Sequence, residues 1–350
     1  MQLDKIFVVG TGVTNPLGQT AEMVARFVNA SLSAVHETDA LNKRLKPIKM
    51  ALVPEKVLEP LNSELLPIGL SSRQERLVRL ANSALVQLKP LILPESILPL
   101  VLALPESIPN KSRAWKGSAI EQFTLQSGIK FDVQNSLAAE IGRAGGLHAI
   151  KHVFKLMEAG HNTVLLGGVD TYLDAELLAH LDNEDRLLVE GAHDGFQPGE
   201  GACFVLLSRE DFSPQSTNPR IVIYRPGNSE EPGHRYSDQP YRGDGLANAV
   251  RAAITNAPAT IDSVWTSMIY DNFCNKEFGV TLTRNSLHFS PAVKFKHPVD
   301  CFGDLGAAIG STLIALIAGS ITHNNSIGRH HLLCCSSDTA YRSAVRLDIE

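Results

Sequence analysis

The stretch from 137 to 206 constrains the fold most, because its glycines sit where only particular backbone geometries fit. Gly145-Gly146 opens an amphipathic run whose apolar positions Leu147, Ile150, Val153, Phe154 and Met157 recur at helical spacing, and Gly160 stands where a helix ends. That spacing predicts a helix. A short buried strand over 162–170 follows, carrying Gly167-Gly168, and then a tight loop, Asp194-Gly195-Phe196-Gln197-Pro198-Gly199-Glu200-Gly201, leads into another apolar run. A helix between two strands is the signature of α/β layers.

The rest of the chain extends this pattern. A strand over 6–10 passes through Thr14-Asn15-Pro16-Leu17-Gly18 into a helix over 19–29. Asn15 stands where a dinucleotide-binding fingerprint would need glycine, so that function is excluded. Residues 36–70 are polar, with Lys43, Arg44, Lys46 and Lys49, and read either as a docking face for a carrier protein or as a solvated loop. A helix over 71–88 capped by Ser72, and a strand over 97–104, complete the first half. Leu93-Pro-Glu-Ser recurs at Leu104 as a local echo without a longer repeat. The second half reads as a strand over 220–224, a polar loop over 226–244, a helix over 245–256, a strand over 261–266, a small-residue helix over 305–321 and strands over 330–336 and 344–349.

Composition narrows the function classes. With 350 residues the chain can bury a large core, and a net charge of -5 gives no general attraction to nucleic acid or anionic membranes. Neither is an expected partner. Five cysteines at irregular spacing suggest neither a disulfide framework nor zinc, and point to a reducing cytoplasm. The first residues lack a signal-peptide pattern, and the apolar runs at 97–104 and 305–318 are shorter than the ~20 residues a bilayer-spanning helix needs.

This order of motifs, with Gly167-Gly168-Val169-Asp170 and Gly199-Glu200-Gly201-Ala202, resembles the β-ketoacyl synthases of the thiolase-like superfamily. The resemblance is strongest over 141–206 and 301–319, weaker over 1–30 and poor over 36–130. It implies an α/β, thiolase-like fold: two similar βαβαβ halves, 1–212 and 213–350, forming a layered α-β-α-β-α sandwich. The shorter chain implies a reduced roof over the acyl pocket, where only 108–130 remain. Aligning Gly146, His148, Ala149 and Ile150 puts Arg143 at the family's nucleophilic cysteine. The run Leu305-Gly306-Ala307-Ala308 puts Gly303 at its second histidine, and Ser267 is the nearest match to its first. The supporting lysine falls near Pro298, and Ser336-Ser337-Asp338-Thr339-Ala340 stands at the glycine-rich gate.

A guanidinium stays protonated and has no nucleophilic lone pair at neutral pH. At a helix start it meets the dipole with the wrong sign, and if buried it needs a counter-charge. Arg143 therefore points to solvent or pairs with a carboxylate, with Asp304, Glu140 and Asp300 as candidates. Gly145, Gly146, Asp194 and Glu200 read as scaffold at the same place. A relocated active site would draw on Cys274, Cys301 and His297. His148 and His152 have metal-capable i, i+4 spacing but no evident third ligand, so neither metal nor cofactor is expected. Asp170, Asp174, Asp182 and Glu184 lack calcium-loop spacing and read as a solvated, capped helix region.

The expectation is a non-catalytic ketosynthase-like protein acting by binding or assembly. It would be a homodimer, or a heterodimer with a ketosynthase-like subunit in bacterial fatty acid or polyketide synthesis. An acyl carrier protein or a secretion-associated protein is a further expected partner, the latter because short ketosynthase-like proteins resembling this one accompany bacterial secretion-effector genes. The alternative is an acyltransferase or condensing enzyme of the 3-oxoacyl-carrier-protein synthase type, working on acyl thioesters with a relocated nucleophile.

Overall fold

The computed structural model describes residues 3–109, 113–191, 194–211, 219–255, 257, 259–321 and 328–350. Strands β1 (Lys5–Thr14), β2 (His36–Leu41), β3 (Pro47–Met50), β4 (Leu100–Ala103), β5 (Leu137–Ala139), β6 (Thr163–Thr171) and β7 (Glu200–Ser208) belong to the first half. The second contains β8 (Ile221–Tyr224), β9 (Gly227–Glu230), β10 (Ile261–Thr266), β11 (Phe289–Lys296), β12 (His330–Ser336) and β13 (Tyr341–Ile349). The helices are α1 (Ala21–Asn29), α2 (Ser72–Leu85), α3 (Ala119–Ser127), α4 (Gly145–His148), α5 (Ile150–Glu158), α6 (Ala175–Asn183), α7 (Asp244–Ile254), α8 (Asn272–Arg284), α9 (Val299–Phe302) and α10 (Ile309–Ile321).

The sheet runs in the order β11-β10-β12-β13-β8-β1-β7-β6-β4-β5, with β9 also on β13. Replacing β1, β4, β5, β6 and β7 by β8, β10, β11, β12 and β13 converts one half's order into the other's. The directions repeat as well. β7 is antiparallel to both β1 and β6, β13 is antiparallel to both β8 and β12, and β4 pairs in parallel with β5 and β6 as β10 does with β11 and β12. The two halves join where β1 meets β8, from Lys5 opposite Tyr224 to Phe7 opposite Val222. The boundary read between 212 and 213 lies outside the described residues.

Three core clusters separate five layers. Leu77, Leu80 and Leu85 of α2 and Phe123 of α3 pack on Leu100, Leu102 and Phe204 of the first half's outer face. Leu246, Val250 and Ile254 of α7 do the same on Val264 and Leu332 of the second half. Between the halves lie α4, α5 and α10, with Leu147, Val153, Leu313 and Ile317 packed on Leu166, Val205 and Val345. The result is an α-β-α-β-α sandwich. Its central helices approach closely because α4 and α10 cross at glycines: a Cβ on Gly310 would lie 2.9 Å from the Leu147 nitrogen.

Local chemistry sets the helix starts. Side-chain oxygens of Thr20, Ser71, Ser118, Asp174 and Asp271 each accept a hydrogen bond from a backbone N–H in the first turn that follows. Ser71, rather than Ser72, caps α2. The stretch read as a loop over 36–70 contains the β2–β3 hairpin, and the one over 226–244 contains β9. β2 and β9 are short strands of polar residues in which no apolar alternation announces the pleat, and β3 offers only Ile48 and Met50. The basic residues of the hairpin face acids of the same chain, Lys43 and Arg44 to Asp185 at 2.8 and 3.4 Å and Lys46 to Glu190 at 2.9 Å. Their positive charge is thus matched internally. Asp174 caps α6, but Asp170 and Asp182 are buried rather than solvated, Asp182 accepting from the Lys43 N–H.

One buried group in the sheet makes stability depend on pH. His331 of β12 is fully buried, and its Nδ1 lies 2.7 Å from the Ser263 hydroxyl of β10, which also accepts from the Trp265 indole N–H. Burial lowers its pKa from 6.5 to about 4. On acidification the unfolded chain therefore takes up this proton before the folded one does. His331 contributes full stability above pH 6.5 and loses it toward pH 4, up to about 3 kcal/mol. Urea titrations from pH 7.5 to 4.5 are expected to show a steeper loss for the native chain than for His331→Gln, and parallel curves would contradict this.

Candidate functional site

Arg143 lies in the 3-10 turn Gly142–Ala144 just before α4, and only 2% of its surface is exposed. A buried guanidinium is tolerable only among acceptors. Its Nε is 3.5 Å from Asp304 Oδ2 and its Nη2 is 3.0 Å from Asp338 Oδ1. Glu140 and Asp300 are engaged elsewhere, with Arg113 at 3.7 Å and with the Tyr270 hydroxyl, which donates at 2.6 Å. Burial opposes the charge on Arg143, but Asp304 and Asp338 hold it firmly protonated.

Each carboxylate is held in turn. Asp304 is fully buried; Gly306 N–H donates to its Oδ1 at 2.9 Å and the Tyr172 hydroxyl donates to its Oδ2 at 2.7 Å. Burial and the neighbouring Asp304 push the Tyr172 phenol well above its ordinary pKa, so it remains a donor. Asp338 receives three guanidinium groups: Arg143, Arg186 at 2.9 Å and Arg235 at 3.2 Å. Burial alone would raise its pKa, yet the three cations drive it well below the carboxylate range. Arg235 also pairs with Asp271. Glu106 accepts from the N–H groups of Asp338 and Thr339 and from the Thr339 hydroxyl, with its pKa raised by burial and by Asp338.

The network spans the two halves. Glu106, Arg143, Tyr172 and Arg186 come from the first, and Asp304, Arg235, Asp271 and Asp338 from the second. Asp194 adds another tie, accepting from the Asn272 backbone and side-chain amides at 2.9 and 3.1 Å at the start of α8. Asp170, with a pKa raised to about 6 by burial against the pull of Arg73, accepts from Ala307 N–H at 2.9 Å. Glu200 lies to one side, fully buried, bound by Arg76 through both oxygens and by Val53 N–H and the Thr171 hydroxyl.

Glycine geometry closes the arrangement. Gly303 has φ +70°, and a Cβ there would lie 3.0 Å from the carbonyl oxygens of Gln197 and Pro198. A Cβ on Gly145 would meet the Ala103 methyl at 2.9 Å, and one on Gly146 would sit 3.1 Å from the Ser311 nitrogen. The space left at Arg143 is a cavity of about 30 Å³, lined among others by Arg73, Glu106, Asp170, Tyr172 and Asp338. That holds water, not an acyl chain.

The sulfur and imidazole groups form no joined pair. Cys274 and Ser267 line a separate space of about 10 Å³ beside Glu277. Burial and Asp271 push the Cys274 thiol far up, and burial and Asp300 raise the Cys301 thiol. His297 packs its ring on Phe278 at 5.8 Å, and burial lowers its pKa. No hydrogen bond joins His297 to either thiol among the described residues. Those residues also contain no group of three or more His, Cys, Asp or Glu side chains able to hold a metal ion, and no helix long and apolar enough to cross a membrane.

Comparison with solved structures gives the fold a name. The chain superposes on a chain of the complex between the ketosynthase ApeO and its chain length factor ApeC from Xenorhabdus doucetiae with a TM-score of 0.77, at 15% identity over 100% of this chain and 99% of that one. This is a thiolase-like ketosynthase fold. The ishigamide ketosynthase/chain length factor matches with a TM-score of 0.67 and 18% identity over 99% of both chains. A ketosynthase from module 6 of the bacillaene synthase of Bacillus subtilis matches at 0.72 and 12% identity, where 99% of this chain covers 72% of that one. No family model and no curated protein matches the sequence. Within the ketosynthase-like fold, Arg186, Arg235 and Glu106 escape sequence reasoning as site residues, and Asp338, read within the 336–340 run at the gate position, escapes it as a counter-ion. Their one signal is the density of Arg and Asp in loops between apolar strands.

Proposed function

We propose that this chain is a non-catalytic ketosynthase-like subunit that acts by binding and assembly. The observation that carries the reading is the Arg143 ion-pair network. On the ketosynthase pattern Arg143 takes the place of the nucleophilic cysteine and Gly303 and Ser267 the places of the histidines, with Asp304 and Asp338 filling the space a thioester would need. The halves 1–212 and 213–350 are then locked together through a centre that in a ketosynthase has to stay open. An acyltransferase with a relocated nucleophile is the less favoured reading, because no hydrogen bond joins His297 to Cys274 or Cys301 among the described residues and both thiols are held protonated.

The partner we favour is a ketosynthase-like chain, either a second copy or a catalytic subunit. Two of the solved structures it resembles are named as ketosynthase and chain length factor together. The two ends of the sheet support the idea. β11 is guarded by Pro291, by Lys294 and Lys296, and by a register shift against β10. β5 has no such guard, and its Leu137 and Ala138 are exposed. An unguarded apolar edge is a pairing surface. A carrier protein or secretion-associated protein would bind such an assembly as a third component.

The test is the mass in solution, alone and after co-expression with a ketosynthase. A dimer is expected, and Leu137→Lys with Ala138→Pro is expected to convert it to monomer without lowering the melting temperature. A native chain that is monomeric in both settings, or a dimer indifferent to these changes, contradicts the reading.

A further inference from the structure

The turn that joins β12 to β13 carries Asp338 into a cluster of three arginines that come from separate segments. Arg143 precedes α4, Arg186 follows α6 and Arg235 follows β9. Arg143 and Arg235 each have a second carboxylate, Asp304 and Asp271. Arg186 has none among the described residues; both of its terminal nitrogens go to Asp338, and it is 5% exposed. One acid side chain thus neutralises a buried cation that has no other counter-ion. The backbone holding it does not depend on that carboxylate. Glu106 takes the Asp338 and Thr339 N–H groups, Arg342 takes the Ser337 and Thr339 carbonyls, and the Ser337 hydroxyl donates to the Ile141 carbonyl.

We propose that Arg143, Arg186 and Arg235 form an oxyanion-binding site whose resident ligand is the chain's own Asp338, and which accepts a one- or two-carbon carboxylate when that side chain is absent. Planar guanidinium groups match a carboxylate in two-point contact; besides Asp338, Arg143 and Arg235 are held by Asp304 and Asp271, and Arg186 lies over the Phe196 ring with its Nη1 3.4 Å from the Tyr236 hydroxyl. The site does not depend on the proposed function. It would exist whether the chain is an enzyme or a binding protein.

Size-matched replacement tests this. Asp338→Ala deletes one carboxylate group, the size of formate, and Asp338→Gly deletes the equivalent of acetate. Either change is expected to lower the melting temperature by about 10 °C through the unpaired cation. Sodium formate at millimolar concentration is expected to restore much of the loss in Asp338→Ala in a saturable way, and acetate in Asp338→Gly, while sodium chloride at equal ionic strength does not. The native chain should not respond. Asp338→Ala/Arg186→Met removes both charges and is expected to be more stable than Asp338→Ala and blind to formate. If Asp338→Ala cannot be recovered folded, recovery of the double variant supports the proposal. A formate effect equal to that of chloride, or a double variant as unstable as the single one, would overturn it.

Discussion

Replacing Arg143 by methionine is expected to cost about 3–5 kcal/mol of folding free energy, the range seen when one partner of a buried ion pair is removed. Methionine fills a comparable volume, so packing loss is a minor part. The cost comes from Asp304 and Asp338, which stay buried while losing a counter-ion. Asp304 suffers more, because Arg143 is its only cation among the described residues, whereas Asp338 keeps Arg186 and Arg235. Arg143→Met/Asp304→Asn is therefore expected to be less destabilised than the sum of the single changes, since the asparagine still accepts from Tyr172 or Gly306 without a charge. Chemical denaturation of the four proteins reads both effects. A cost below about 1 kcal/mol for Arg143→Met would mean that the network is solvated in solution.

Glu200→Ala is expected to have an effect of similar size for a different reason. Its carboxylate is fully buried and collects four donors, two from Arg76 and one each from Val53 and Thr171. Removal leaves Arg76 to the exposed Glu55 and strands two buried donors, a loss of about 3–5 kcal/mol. Glu200→Gln keeps one acceptor and the shape, so it should cost clearly less. Equal denaturation midpoints for the two variants would show that packing, not charge, decides the position.

The parts of the fold that could be read from sequence are those in which glycine or apolar spacing leaves one geometry. Gly145-Gly146 before Leu147, Ile150 and Val153 marked the central helix, and the apolar, small-residue run through 305–321 marked α10, which is buried along nearly all its length. The outer edge was harder. α8 mixes Asn272, Asn275, Lys276 and Gly279 with few apolar residues, and β11 alternates poorly because it is an exposed edge. Asp304 was reachable because it directly precedes the Leu305-Gly306-Ala307-Ala308 run. Asp338 was reached as part of the 336–340 run at the gate position but not as a counter-ion, because its partners Arg143, Arg186 and Arg235 stand 195, 152 and 103 positions away, and no local pattern connects them. Long-range charge pairing leaves no periodicity to read. Arg235 belonged to the polar loop over 226–244, yet it lies against Asp338 and Asp271 and over the Phe273 ring.

The measurement that tests the central claim most directly is intact-mass analysis of the purified chain after incubation with acyl and malonyl thioesters of coenzyme A and of carrier protein, with thioester consumption followed in parallel. An active ketosynthase serves as control, and Arg143→Cys is run beside the native chain. The account predicts no covalent acyl adduct and no turnover for the native chain, and no condensation for Arg143→Cys, because Ser267 and Gly303 cannot take the part of the two histidines. An acyl adduct that maps to Cys274 or Cys301 and disappears when that cysteine is replaced would contradict it.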